Sequence, residues 1–137
     1  MQERACLDAG VIYLYYRKNA PEKVKILMSK IKKQNISAFI PKTILVEVYK
    51  HLCVSEGKDF ATSCISSFQH NIIAHYISLT SELILIAGQL KCQYRMKLSY
   101  NDCIAIAIAL QKKAKFHTTE KNLPKIKNLQ IIKYEFQ

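Results

Sequence analysis

Short apolar runs of strand character alternate with longer segments of helical period along almost the whole of this chain. Ala5-Cys6-Leu7 reads as a buried strand, and Val11 to Tyr16 as a helix that begins at the strand's end. Asn19-Ala20-Pro21-Glu22 reads as a helix start, with Asn19 as the cap, Pro21 in the first turn and Glu22 three residues on. That helix is expected to reach about Lys33. Val24, Leu27, Met28 and Ile31 recur at i, i+3, i+4 and i+7 and share one face. Ser37 to Ile40 reads as a second strand. Pro41 opens a helix to about Ser55, and another covers roughly Asp59 to Gln69. Ile72 to Ile77 fits extended chain and a helix end equally. Thr80 caps a helix to about Met96. Ser99-Tyr100-Asn101-Asp102 has the form of a capping box, with Asp for the usual Glu, and opens a helix to Lys113. A strand from Lys115 to Thr118, a helical turn near Asn122 to Ile126 and a last strand from Gln130 to Lys133 complete the chain. This alternation implies an α/β fold, a mostly parallel central sheet flanked by helices on both faces. In such sheets ligands sit at the carboxyl ends of the strands.

The stretch Ile104-Ala105-Ile106-Ala107-Ile108-Ala109 has the period of a strand. Alanine is the best helix former and the capping box starts a helix, so helix is the expectation. Being apolar all round, that helix should be buried.

A length of 137 residues suits one domain, 1–137, with a self-sufficient core. No apolar run approaches the roughly 20 residues of a membrane span. Asp8 and Gly10 interrupt any signal-peptide core near the N-terminus. Cytoplasmic localisation follows as the expectation. Five cysteines, none in a CxxC pair and most in apolar context, read as buried free thiols of a reducing compartment. Lys and Arg number 21 against 10 Asp and Glu, a formal charge of +11. Such a charge attracts polyanions, and nucleic acid is the usual one. A solubilising lysine surface is the plainer alternative.

Against that charge, four acids stand out. Asp8 ends the run Ala5-Cys6-Leu7, and Glu47 lies inside Ile44-Leu45-Val46-Glu47-Val48-Tyr49. Asp102 opens the apolar run Cys103 to Leu110, and Glu120 closes Phe116-His117-Thr118-Thr119. Ionised carboxylates rarely enter apolar surroundings unless paired or bound to a cation. Asp8 and Glu120 both follow expected strands, so both point to one cleft. Four acids drawn together either share protons or hold a divalent ion. Each also has a structural reading. Asp8 can cap the next helix. Asp102 can be a capping-box acid alone, Glu47 can pair with Lys50, and Glu120 with a nearby lysine.

The strings around these acids resemble the motifs of PIN-domain nucleases. Leu7-Asp8-Ala9-Gly10-Val11-Ile12 is similar to the family's opening strand motif, with Ala9 in place of the usual hydroxyl residue. Ile40-Pro41-Lys42-Thr43-Ile44-Leu45-Val46-Glu47-Val48 is similar to the second, a Pro-led helix with an inward Glu. Leu98-Ser99-Tyr100-Asn101-Asp102-Cys103-Ile104-Ala105 resembles the third. Phe116-His117-Thr118-Thr119-Glu120-Lys121-Asn122-Leu123 resembles the fourth, with Glu120 where Asp is usual. All four occur in family order over essentially the whole chain, and the nearest subclass is the small VapC-like toxins of toxin–antitoxin pairs. The resemblance implies a Rossmann-like sheet, dependence on Mg²⁺ or Mn²⁺, cleavage of single-stranded or loop RNA, a homodimer and an antitoxin partner.

On that basis Asp8 and Asp102 are the expected principal metal ligands. Glu120 completes the set or binds through water, and Glu47 orients the attacking water or holds a second ion. Thr118 is expected to donate a supporting hydrogen bond, and Arg95, Lys97 and Lys121 to meet phosphates. Tyr13, Tyr15 and Tyr16 suit base stacking or core packing, with packing preferred. Three other functions remain open: a housekeeping RNA-processing nuclease, a non-catalytic RNA-binding or interaction module, and a metal-free ribonuclease using histidines such as His51 and His117.

Overall fold

A computed structural model describes residues 2–136. In chain order its elements are β1 (Glu3–Leu7), α1 (Ala9–Tyr16), α2 (Glu22–Lys32), β2 (Ile36–Pro41), α3 (Lys42–Glu56), α4 (Lys58–Asn71) and β3 (His75–Ile77). They continue with α5 (Ser81–Gln93), α6 (Tyr100–Lys112), β4 (Lys115–Thr118) and β5 (Ile131–Lys133). The five strands form one sheet in the order β3-β2-β1-β4-β5, and every pairing is parallel. β1 is central. The chain builds outward from it through β2 and β3, then crosses to β4 and β5 on the other side. The direction of winding reverses between β1 and β4, the place where an open α/β sheet leaves a crevice.

Strand alternation divides the sheet between two cores. Ala5, Leu7, Ala38 and Ile40 face α1, α2, α3 and α4, where Val11, Ile12, Leu27, Met28, Ile31, Leu52 and Phe68 pack. Cys6, Phe39 and Phe116 face the opposite layer with Leu83, Leu90 and the α6 residues Cys103 and Ala105 to Ala109. The alternating Ile-Ala stretch is helical, and Ala105 to Ala109 are at most 1 % exposed. Its burial against three strands, not an intrinsic period, explains the pattern, since the alanines let α6 approach the sheet closely.

Several local expectations are corrected. Asn19 caps nothing. Pro21 occupies the cap position, and its carbonyl accepts from the backbone N–H groups of Val24 and Lys25, both at 3.1 Å. A backbone acceptor thus starts α2 without a side chain. α5 ends at Gln93 and not near Met96: Tyr94 leaves the helical conformation with φ −117° and ψ 35°, and Lys91 Nζ reaches over the following turn to donate to the carbonyls of Arg95 (3.0 Å) and Leu98 (2.7 Å). No helical turn forms over Asn122 to Ile126. Pro124 lies in that stretch, and the chain stays irregular until the turn at Lys127 and Asn128, where Asn128 has φ 68°. The ambiguous stretch divides: Ile72 terminates α4, and His75–Ile77 is β3. All five cysteines are free thiols. No helix among the described residues is long and apolar enough to cross a membrane.

Candidate functional site

Asp8 follows the last residue of β1 and caps α1. Its backbone N–H donates to His117 O at 3.1 Å, which ties the end of β1 to β4. Its Oδ1 accepts from Gly10 N at 2.7 Å, and its Oδ2 accepts from the hydroxyl of Thr118. Only 7 % exposed, Asp8 has its pKa pushed up to about 6. Burial is the main cause. The two hydrogen bonds oppose it, and the charges of Asp102 and Glu120 add to it.

Asp102 lies in the first turn of α6. The capping box is real: Asp102 N donates to Ser99 Oγ at 3.0 Å, and Ser99 N donates to Asp102 Oδ2 at 3.2 Å. Its pKa is also raised, by burial first and by the charge of Glu47, while Ser99 and the charge of Lys91 counter. Asp8 and Asp102 therefore each start a helix, and each also feels the charge of other acids among the four.

Glu47 projects from the middle of α3. It does not pair with Lys50. Its Oε1 accepts from Asn101 Nδ2 at 2.7 Å, and its Oε2 lies 3.4 Å from His51 Nε2. Glu120 is exposed, just beyond β4, with its N–H donating to Thr118 Oγ1 at 3.0 Å. Burial and the charges of Asp102 and Glu47 raise its pKa. No lysine or arginine forms an ion pair with these four acids among the described residues, where the one Lys or Arg ion pair is Lys115–Glu3.

The structure thus brings all four predicted acids into one field, from the ends of β1 and β4 and from α3 and α6. It does not close them on a point: among the described residues, no three His, Cys, Asp or Glu side chains are grouped tightly enough to grip an ion. The donor chemistry still fits a hard cation. The donors are carboxylate oxygens: the charges of Asp102 and Glu120 raise the Asp8 pKa, and the charge of Glu47 raises those of Asp102 and Glu120, with Lys91 opposing at Asp102. Mg²⁺ and Mn²⁺ take such ligands while keeping waters between.

A model of the PIN domain family matches residues 5–129, from β1 to the approach to β5 and so across all four acids. The chain belongs to the PIN domain family. Among solved structures, this PIN domain is similar to VapBC2 from Rickettsia felis bound to a DNA fragment from their promoter, with a TM-score of 0.75 at 19% identity, over 96% of this chain and 99% of that one. It is similar to the DNA-bound VapBC of Salmonella typhimurium, with a TM-score of 0.70 at 15% identity, over 97% and 98% of the two chains. The Mycobacterium tuberculosis sarcin-ricin loop cleaving toxin VapC20 aligns with a TM-score of 0.68 at 11% identity, over 86% and 89%. At these identities the likeness is one of fold. No curated protein matches the chain in sequence.

Thr118 is fully buried and bridges Asp8 to the Glu120 backbone. Arg95 lines a mainly apolar cleft of 490 Å³ between α5 and α6, with Ala87, Lys91 and Cys103. Lys97 and Lys121 are exposed. Tyr13, Tyr15 and Tyr16 pack against the α1–α4 core, and Tyr16 OH donates to Cys64 O at 3.2 Å. The two histidines are not brought together. His51 stands beside Glu47, whereas His117 is buried with its Nδ1 2.7 Å from Tyr134 OH.

Sequence reading missed Asn101 and Gly10, and considered His51 only for metal-free chemistry. Asn101 and His51 hold Glu47, and Gly10 is the close-approach point of the site. A Cβ at Gly10 would lie 2.0 Å from Thr119 Oγ1, so only glycine lets the start of α1 meet the loop after β4. An Asn one residue before a motif acid, and a His one turn after another, are the signals that pointed to the first two.

Proposed function

We propose that this PIN domain chain is one functional domain over residues 1–137, a divalent-metal-dependent endoribonuclease. It hydrolyses phosphodiester bonds in single-stranded or loop RNA and acts in the cytoplasm as the toxin of a toxin–antitoxin pair, as a homodimer held in check by an antitoxin. The observation that carries this reading is the placement of four acids, from the carboxyl ends of β1 and β4 and from α3 and α6, none of them ion-paired with a lysine or arginine among the described residues. Several of the structures it resembles are VapBC proteins, which supports the antitoxin partner.

In this reading Asp8, Asp102 and Glu120 would hold Mg²⁺ or Mn²⁺. The ion, when bound, makes water a better nucleophile at neutral pH and neutralises charge on the phosphoryl oxygens. The chain's own groups do the rest. Glu47 orients the attacking water and accepts its proton. Thr118 donates to Asp8 and keeps its carboxylate turned to the cleft. Exposed Lys97, Lys121 and Arg95 attract the RNA backbone within the field of a +11 chain. Hydrolysis by water leaves 5′-phosphate and 3′-hydroxyl ends without a covalent intermediate.

Cleavage of labelled single-stranded RNA by wild type and Asp102→Asn, with Mn²⁺ and with EDTA, tests this reading. Metal-dependent cutting lost in the variant supports it. Cutting in EDTA that leaves 2′,3′-cyclic phosphate ends would replace it with metal-free chemistry. One observation favours a second reading, a non-catalytic RNA-binding module: Glu120 is exposed, and Asp8 and Asp102 are already committed to helix caps. Tight RNA binding by wild type without any metal-dependent cutting would establish that module.

A further inference from the structure

We infer that Asn101 and His51 are positioning residues that fix the carboxylate of Glu47 toward the cleft, a role that rests on the nuclease reading above. Glu47 leaves α3 half-exposed, with 34% of its side chain accessible, and three free torsions would let it wander. Two side chains, one from α6 and one from α3, hold it instead. Asn101 Nδ2 gives Oε1 a 2.7 Å hydrogen bond across 54 positions of sequence, from the first turn of α6 to the middle of α3. His51 Nε2 stands 3.4 Å from Oε2, one helical turn along α3.

The His51 ring has a second polar neighbour. Lys50 Nζ lies 3.5 Å from His51 Nδ1, and an ammonium group donates and never accepts. With Nδ1 turned to that ammonium, Nε2 is the ring nitrogen that faces Glu47. Tyr13 supports the ring from the other side, its centroid 5.5 Å away.

The choice of partners matters as much as their number. A lysine or arginine in either place would hold Glu47 equally well but cancel its charge in a cleft that works by negative charge. The Asn101 amide orients the group and leaves the charge in place. Each carboxylate oxygen has two lone-pair sites, so each keeps one free for the attacking water. Asn101 and Asp102 are consecutive on α6. The same helix turn therefore sets one acid by its own cap and a second by its amide.

Single-turnover cleavage of labelled single-stranded RNA with Mn²⁺ separates this role from a merely structural link between α3 and α6. Asn101→Leu and His51→Leu should each lose about tenfold or more in the cleavage step, with RNA affinity in EDTA and thermal unfolding close to wild type. His51→Gln, which keeps an N–H where Nε2 stood, should recover most of the rate. Asn101→Leu placed in a Glu47→Ala background should slow cleavage no further. Wild-type rates for Asn101→Leu, equal loss in His51→Leu and His51→Gln, or the same fractional loss with and without Glu47 would overturn the inference while leaving the nuclease reading intact. Wild type that never cuts overturns both.

Discussion

The hydroxyl of Thr118 donates to Asp8 Oδ2, joining two residues 110 positions apart where β1 and β4 run side by side. The same oxygen accepts from Glu120 N, so one buried hydroxyl sets the acid after β1 and the loop that carries the acid after β4. The bond also opposes the upward pull of burial on the Asp8 pKa. Thr118→Val keeps the shape and removes both roles. It should cost about 1–2 kcal/mol in a denaturant melt. It should also move the midpoint of Mn²⁺-induced thermal stabilisation to higher pH, because Asp8 then gives up its proton less readily. An unchanged midpoint would mean that the hydroxyl does not govern Asp8.

Gly10 gives a second prediction. Thr119 Oγ1 lies 2.0 Å, and Thr119 Cβ and Cγ2 each 3.0 Å, from where a Cβ would stand at Gly10. Gly10→Ala should destabilise the fold by about 1–3 kcal/mol through this overpacking. Thr119→Ala removes the hydroxyl and methyl and should restore part of the loss. Measured as a double-mutant cycle, the pair should be clearly non-additive. Additive effects would show that the clash is relieved elsewhere.

Asp8 and His117 should tilt stability in opposite directions over overlapping pH ranges. The Asp8 pKa rises from 3.8 to about 6 on folding. Its stabilising contribution is complete below about 3.8 and is lost as pH rises through 6, at most about 3 kcal/mol. Asp8→Asn should thus raise the melting temperature at pH 7 and change little near pH 4. Burial lowers the His117 pKa from 6.5 to about 4, with the charge of Lys115 acting the same way and Glu3 against it. Its contribution is present above 6.5 and lost as pH falls through 4. The stability gap between wild type and His117→Gln should be largest at pH 7 and shrink toward pH 4. Melting curves across pH 4–8 for the two variants check both slopes, and parallel profiles would contradict the assignment.

Much of this arrangement was legible in the sequence. The α/β alternation, the Ser99 capping box and the helical reading of the Ile-Ala stretch follow from local chemistry, and the four motif acids stand at the strand ends and on the helices expected of them. What escaped depends on non-local partners or on backbone acceptors. The start of α2 relies on the Pro21 carbonyl, which no side-chain pattern announces. The loop after β4 has the polarity of a helical turn, yet Pro124 and the left-handed Asn128 keep it irregular. Asn101 could not be matched to Glu47 without knowing that α3 and α6 meet at the cleft. Nor did sequence indicate that Glu120 would remain exposed while Asp8 became buried.

The central claim is that one acidic cleft, and not the basic surface, cuts the RNA. Asp8→Asn tests it most directly, by measuring both binding and Mn²⁺-dependent cleavage of the same labelled single-stranded RNA. The account predicts that the variant binds as tightly as wild type and that its cleavage is lost. Wild-type cleavage by Asp8→Asn would contradict it, because the acid at the end of β1 would then have no part in the chemistry.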